Sequence, residues 1–148
     1  MLRKTGLLAA ALYFSIPLFV FAQTEEEKII NTVQQLLDAI ASRDTVMAQS
    51  VLLPGGQFLS IREDSSSTRI GRRTHLEFKI GLAHETDEMR EVLNEPTVLI
   101  SHHVAILWAS YNFFRQGDYS HRGVDAFSLL KTDKGWKIAG LVYSIEKQ

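Results

Sequence analysis

The chain has 148 residues, 45% of them hydrophobic, with 16 basic and 17 acidic side chains and no cysteine. That length suits one domain, and a near-balanced charge without a basic stripe argues against nucleic acid as a partner. The lack of cysteine excludes disulfides and thiolate chemistry, and a domain of this size can bury enough core to fold without cross-links.

Arg3 and Lys4 open the chain, an apolar run extends from Leu7 to Ala22, and small side chains at Val20 and Ala22 precede Gln23. This is the pattern of a signal peptide. The run is short for a membrane span, and no cysteine follows Ala22 to carry a lipid. Residues 1–22 are therefore expected to be cleaved on export, leaving 23–148 as the domain, periplasmic or extracellular and free of the membrane. It would carry 14 basic against 17 acidic side chains, a net charge of −3.

Thr24 and Glu27 form a capping box, and Ile29, Val33, Leu36, Leu37 and Ile40 behind it recur at helical spacing. A helix is expected to about Ser42. Asp44 caps a short second helix with Val46, Met47 and Val51, which Leu53-Pro54-Gly55-Gly56 ends in a turn. Residues 57–62 alternate as a strand. Residues 63–68 read as a polar loop, a lid or rim. Thr74 and Glu77 make a second capping box, so a third helix runs to about His84. Residues 89–100 follow as a strand interrupted near Pro96. Residues 103–115, 119–131 and 136–146 form a meander joined by tight turns at Gly117 and at Asp133-Lys134. Helices first and antiparallel strands last describe an α+β fold, in which a bent sheet wraps around three helices.

In the strand over 119–131, successive side chains alternate between two faces. His121, Gly123, Asp125, Phe127 and Leu129 are expected inside. Ser120, Arg122, Val124, Ala126, Ser128 and Leu130 are expected outside. Simple two-residue turns would set Phe127 opposite Trp108 and Gly140, Asp125 opposite Ser110 and Val142, and Gly123 opposite Asn112. A bulge would shift the register by one and put Tyr111 inside instead. In the first register Gly123 leaves a hollow, Asn112 offers a donor and an acceptor across it, and Trp108 and Phe127 form an apolar end. Such a wall suits a small, largely apolar molecule. Asp125, desolvated between Val124 and Ala126, is the first candidate for a general base, against a structural role bonding Ser110, Asn112 or buried water. His121 would shuttle protons or bind an anion near the rim, or pair with Glu146. The two lie about 13 Å apart along the strand, too far for a dyad. No metal is expected: His102 and His103 are adjacent and point opposite ways, and His75 and His84 are too far apart. No phosphate loop or dinucleotide fingerprint is present, so no cofactor is expected.

Trp108-Ala109-Ser110-Tyr111, Gly117-Asp118, Ser120 to Phe127 and Gly135-Trp136-Lys137-Ile138 resemble the SnoaL-like, nuclear transport factor 2-like superfamily. More narrowly, they resemble its exported bacterial members with a His-x-Gly-Val-Asp-Ala-Phe strand and a Gly-Trp-Lys-Ile strand. The resemblance implies a cone-shaped, cystatin-like α+β barrel. Some relatives are isomerases, dehydratases, cyclases or epoxide hydrolases; others only bind ligands or partners. It makes His121 and Asp125 the motif residues, while Arg122 stands where relatives often have cysteine. Two readings accompany the binding domain: a cofactor-independent isomerase or dehydratase with Asp125 as base and His121 or Tyr111 as its partner, and a homodimer packed through the outer sheet face at Arg122, Val124, Ala126 and Tyr143.

Overall fold

A computed structural model describes residues 22–64 and 67–146 of the protein. The expected signal peptide, up to its last residue, lies outside them. Both capping boxes form. Thr24 Oγ1 accepts from the Glu27 N–H at 3.2 Å, and Glu27 Oε2 accepts from the Thr24 N–H at 2.8 Å; Thr74 and Glu77 repeat the arrangement. These start α1 (Glu25–Ser42) and α3 (His75–His84). α2 (Thr45–Val51) starts on the Asp44 carboxylate. α1 stops where Arg43 turns left-handed at φ 57°.

Six strands follow: β1 (Leu52–Asp64), β2 (Ser67–Thr74), β3 (Met89–Ser101), β4 (Val104–Arg115), β5 (Asp118–Thr132) and β6 (Gly135–Ile145). Three expectations need correction here. Residues 53–56 do not turn the chain: Gly55 takes φ 83°, the register against β6 slips between Leu52 and Gln57, and the segment is a bulge inside β1. The polar stretch expected to be a rim loop pairs instead, Glu63 with Thr68 and Asp64 with Ser67, and continues as β2. Thirdly, the sheet is mixed and unclosed. Its order is β2-β1-β6-β5-β4-β3, with β1 and β6 parallel and the other neighbours antiparallel. The fold class is α+β, as expected.

α1 and α3 fill the concave side. Ile29, Val33 and Leu36 of α1 share one buried cluster with Leu107, Phe127, Leu129 and Ile138 of the sheet, each burial worth about 1.5–3 kcal/mol. Phe78 of α3 meets Phe58 of β1 edge to face, ring centroids 5.0 Å apart. Glu25, in the first turn of α1, accepts from Trp136 Nε1 at 2.9 Å and from Lys131 Nζ at 2.7 Å. This ties the helix to the end of the β5–β6 hairpin.

Candidate functional site

The inner set on β5 is the expected one: Gly123, Asp125, Phe127 and Leu129 are buried and His121 half-buried. The partners differ, because both hairpins carry a bulge and the first turn centres on Gln116-Gly117, pairing Arg115 with Asp118. Phe113 pairs with His121 but Phe114 with Tyr119, so Ser120 is the extra residue. Leu129 pairs with Ile138 but Ser128 with Gly140, so Ala139 is extra. Asp125 therefore faces Ala109 and Tyr143, and Phe127 faces Leu107 and Leu141. Gly123 faces Tyr111, the alternative a bulge would produce.

The shift moves two expected ligand residues away. Trp108 lies on the outer face, 55% exposed, and Asn112 pairs there with Arg122. Nor does Gly123 leave a hollow. A Cβ on it would sit 2.0 Å from Ser144 O and 2.8 Å from Tyr111 Cε1, so the glycine permits a close approach of β6 and the Tyr111 ring. The Tyr111 hydroxyl donates to Ser144 O at 2.7 Å, which commits its proton to the backbone. Burial and nearby carboxyls push its pKa up. His121 stacks on Phe113, centroids 4.8 Å apart, and meets Tyr111 edge-on; its Nδ1 lies 3.1 Å from Ser120 Oγ. Glu146, considered as its partner, bonds Arg122 at 3.6 Å.

Helices and sheet enclose a cavity of about 410 Å³, within the usual range for small-molecule sites. Leu36, Phe58, Phe78, Phe127 and Leu141 supply its apolar wall; Asp125, Glu91, Tyr111, Tyr143 and His121 are among its polar groups, with Arg62, Arg73 and Arg115. Glu91, on β3, is the candidate site residue that the sequence reading missed. The signal was available: Met89, Glu91 and Leu93 share one face of an alternating strand.

The sheet's bend sets the Asp125 and Glu91 carboxyls beside each other on the cavity wall, near enough for each to shift the other's titration. Asp125 is 1% exposed. Burial, and then the Glu91 charge, push its pKa far up. Glu91 is half-buried as a residue, but its carboxyl end is desolvated, which raises it too, while Asp125 draws it back. Two adjacent carboxyls resist a second ionisation, so the pair holds a shared proton near neutrality. Asp125 Oδ2 is buried and bonds to no described residue. The pair can thus offer a proton donor and an acceptor side by side. Among the described residues, no group of three or more His, Cys, Asp or Glu is placed to hold a metal ion.

A larger groove, about 970 Å³, runs between α2, α3 and the β5–β6 turn. Within it Lys79 bonds Gln49, Lys137 bonds Ser50 O, and His75 Nδ1 donates to Leu53 O. It has no convergent polar cluster comparable to the carboxyl pair.

No family model matches the chain, and no curated protein matches it by sequence. Solved structures do match by fold. An NTF2-like protein from Cytophaga hutchinsonii superposes with a TM-score of 0.69 at 15% identity, over 84% of this chain and 100% of that one. The fold is that of nuclear transport factor 2-like proteins. A putative dehydratase of the NTF2-like family from Streptomyces avermitilis matches at 0.63 and 15% identity, over 82% and 96%. The CaMKII hub from S. rosetta matches at 0.64 and 17%, over 81% and 95%. At these identities the likeness to NTF2-like proteins is one of fold, and the site must be argued from its own residues.

Proposed function

We propose that the protein is an exported domain that binds a small, largely apolar molecule in the cone between helices and sheet. One observation carries this reading: a cavity of small-molecule size whose apolar wall ends in a buried carboxyl pair, with Asp125 Oδ2 lacking a bond to any described residue. A buried polar atom normally finds a partner. Here a ligand hydroxyl or carbonyl would supply it. Export rests on the apolar N-terminal run alone. The test is calorimetric titration with 2-naphthol, a neutral two-ring alcohol. Saturable binding is expected, weakened at least tenfold by Leu141→Trp, which fills the cavity from β6. No heat beyond dilution would remove the reading.

The same pair supports a second reading, an isomerase or dehydratase without a cofactor. The ionised member would take a proton from a carbon beside a carbonyl, and the protonated member would donate one to the oxygen. In this reading Glu91 takes the partner role expected for His121 or Tyr111, both of which also line the cavity. Deuterium uptake by 2-decalone in heavy water is the assay. A rate above buffer, lost in both Asp125→Asn and Glu91→Gln, is expected; a buffer rate leaves a binding protein.

A homodimer through the outer sheet face is the expected assembly. Leu99, Val104, Ile106, Trp108, Leu130 and Val142 are large apolar residues exposed there, an apolar face broad enough for a self-complementary contact. Sedimentation that finds only monomer at high concentration would count against it.

A further inference from the structure

The cavity has a second pole, formed by arginines. Phe58, Ser60 and Arg62 share the inner parity of β1, and Phe58 is buried. Residues directly opposite in an antiparallel pair project to the same side. Arg73 lies opposite Phe58, so it projects into the concavity too, and both Arg62 and Arg73 line the cavity. A third lining guanidinium, Arg115, is already neutralised by Asp87 and approached by Glu85 at 4.0 Å. Arg62 and Arg73 differ: neither forms an ion pair or hydrogen bond with a described residue. The acidic group that Arg73 influences, Glu77, has its carboxylate engaged by Thr74.

Strand register places this pole relative to the carboxyls. Asp125 is level with Tyr143, which is level with Ser60, and Arg62 is two residues further along. Arg62 is thus about 7 Å along and about 10 Å across the sheet from Asp125, with Ser60 and Tyr143 between; Arg73 lies one strand further out on the other side of that level, beyond Leu141 and Phe58. The floor repels an anion and offers a hydrogen bond to a neutral polar group. The other end attracts an anion, and guanidinium groups match carboxylate geometry in particular.

Resting on the pocket reading above, we propose that the ligand is an amphipathic organic acid. Its carboxylate meets Arg62 and Arg73, its apolar body lies on Phe58 and Leu141, and an uncharged hydroxyl or carbonyl reaches Asp125 and Glu91.

Calorimetric titration of the protein with 6-hydroxy-2-naphthoate and with its methyl ester tests this. The two probes share body and hydroxyl and differ in charge. The acid is expected to bind at least tenfold tighter than the ester, and the preference to fall to parity in the Arg62→Gln/Arg73→Gln double variant. Arg72→Gln removes the same charge per site from the opposite face of β2 and is expected to keep the preference. Equal binding of acid and ester overturns the inference and leaves the pocket reading standing. So does a preference that survives in the double variant, or that Arg72→Gln also abolishes. Failure of both probes, and of 2-naphthol, overturns the inference together with that reading.

Discussion

The two faces of β4 and β5 invert the usual distribution of polarity. On the inner face Asp125 is 1% exposed among Leu107, Phe127 and Leu129; on the outer face Trp108 is 55% exposed. A sheet that served only to cover helices would bury the tryptophan and expose the carboxylate. Neither arrangement favours the stability of an isolated monomer. A buried carboxyl pair lacks full hydrogen bonding, and an exposed apolar face is incompletely used. The contrast teaches that alternation lets the same strands carry two unlike surfaces, a buried carboxyl beside an apolar cavity on one side and exposed large apolar side chains on the other.

The contrast can be broken most severely at Phe127. It is fully buried beside the carboxyl end of the cavity, and Phe127→Ala is expected to cost about 3–5 kcal/mol in denaturant unfolding. Trp108 should behave in the opposite way. Trp108→Ala is expected to weaken self-association by about 2 kcal/mol in sedimentation, yet to change monomer stability by less than about 0.5 kcal/mol. Equal losses at the two positions would mean that the faces do not differ as described.

Asp125 sharpens the inner half of the comparison. Folding raises its pKa above the ordinary 3.8. Its contribution to stability is therefore full below that value and is lost as pH rises through the folded value. Stability is expected to decline from mildly acid to alkaline pH, and Asp125→Asn to flatten the decline, gaining about 1–2 kcal/mol at alkaline pH. Thermal unfolding across pH reads this. His75 gives the smallest effect and the opposite sign. Burial lowers its pKa from 6.5, partly offset by the bond to Leu53 O. Stability is then present above 6.5 and lost as pH falls through the folded value, a slope that His75→Phe should remove on the same instrument.

Local chemistry was the legible part of this molecule. Two capping boxes place α1 and α3 to the residue, because their hydrogen bonds close within three positions. Alternation placed Asp125 inside for the same reason. What failed depends on partners distant in sequence. A first turn centred on Gln116-Gly117, partly offset by the extra residue Ser120, exchanged Trp108 and Asn112 for Leu107 and Tyr111, and the extra residue Ala139 moved the β5–β6 pairs beyond Leu129–Ile138 by one. β2 escaped because an edge strand exposed on almost every residue carries no hydrophobic period. Glu91 looked like an ordinary surface acid, and only the bend of the sheet joins it to Asp125.

The parallel pairing of β1 with β6 sets the order of assembly. An antiparallel hairpin closes on its nearest neighbour, but β1 has only β6, the last strand made, to join it to the rest of the sheet. Until residues 135–145 have emerged, the β1–β2 ribbon has no sheet to dock on and the cavity lacks its arginine wall. Such distant closure slows folding, so the two-walled cavity is among the last features of the fold to form.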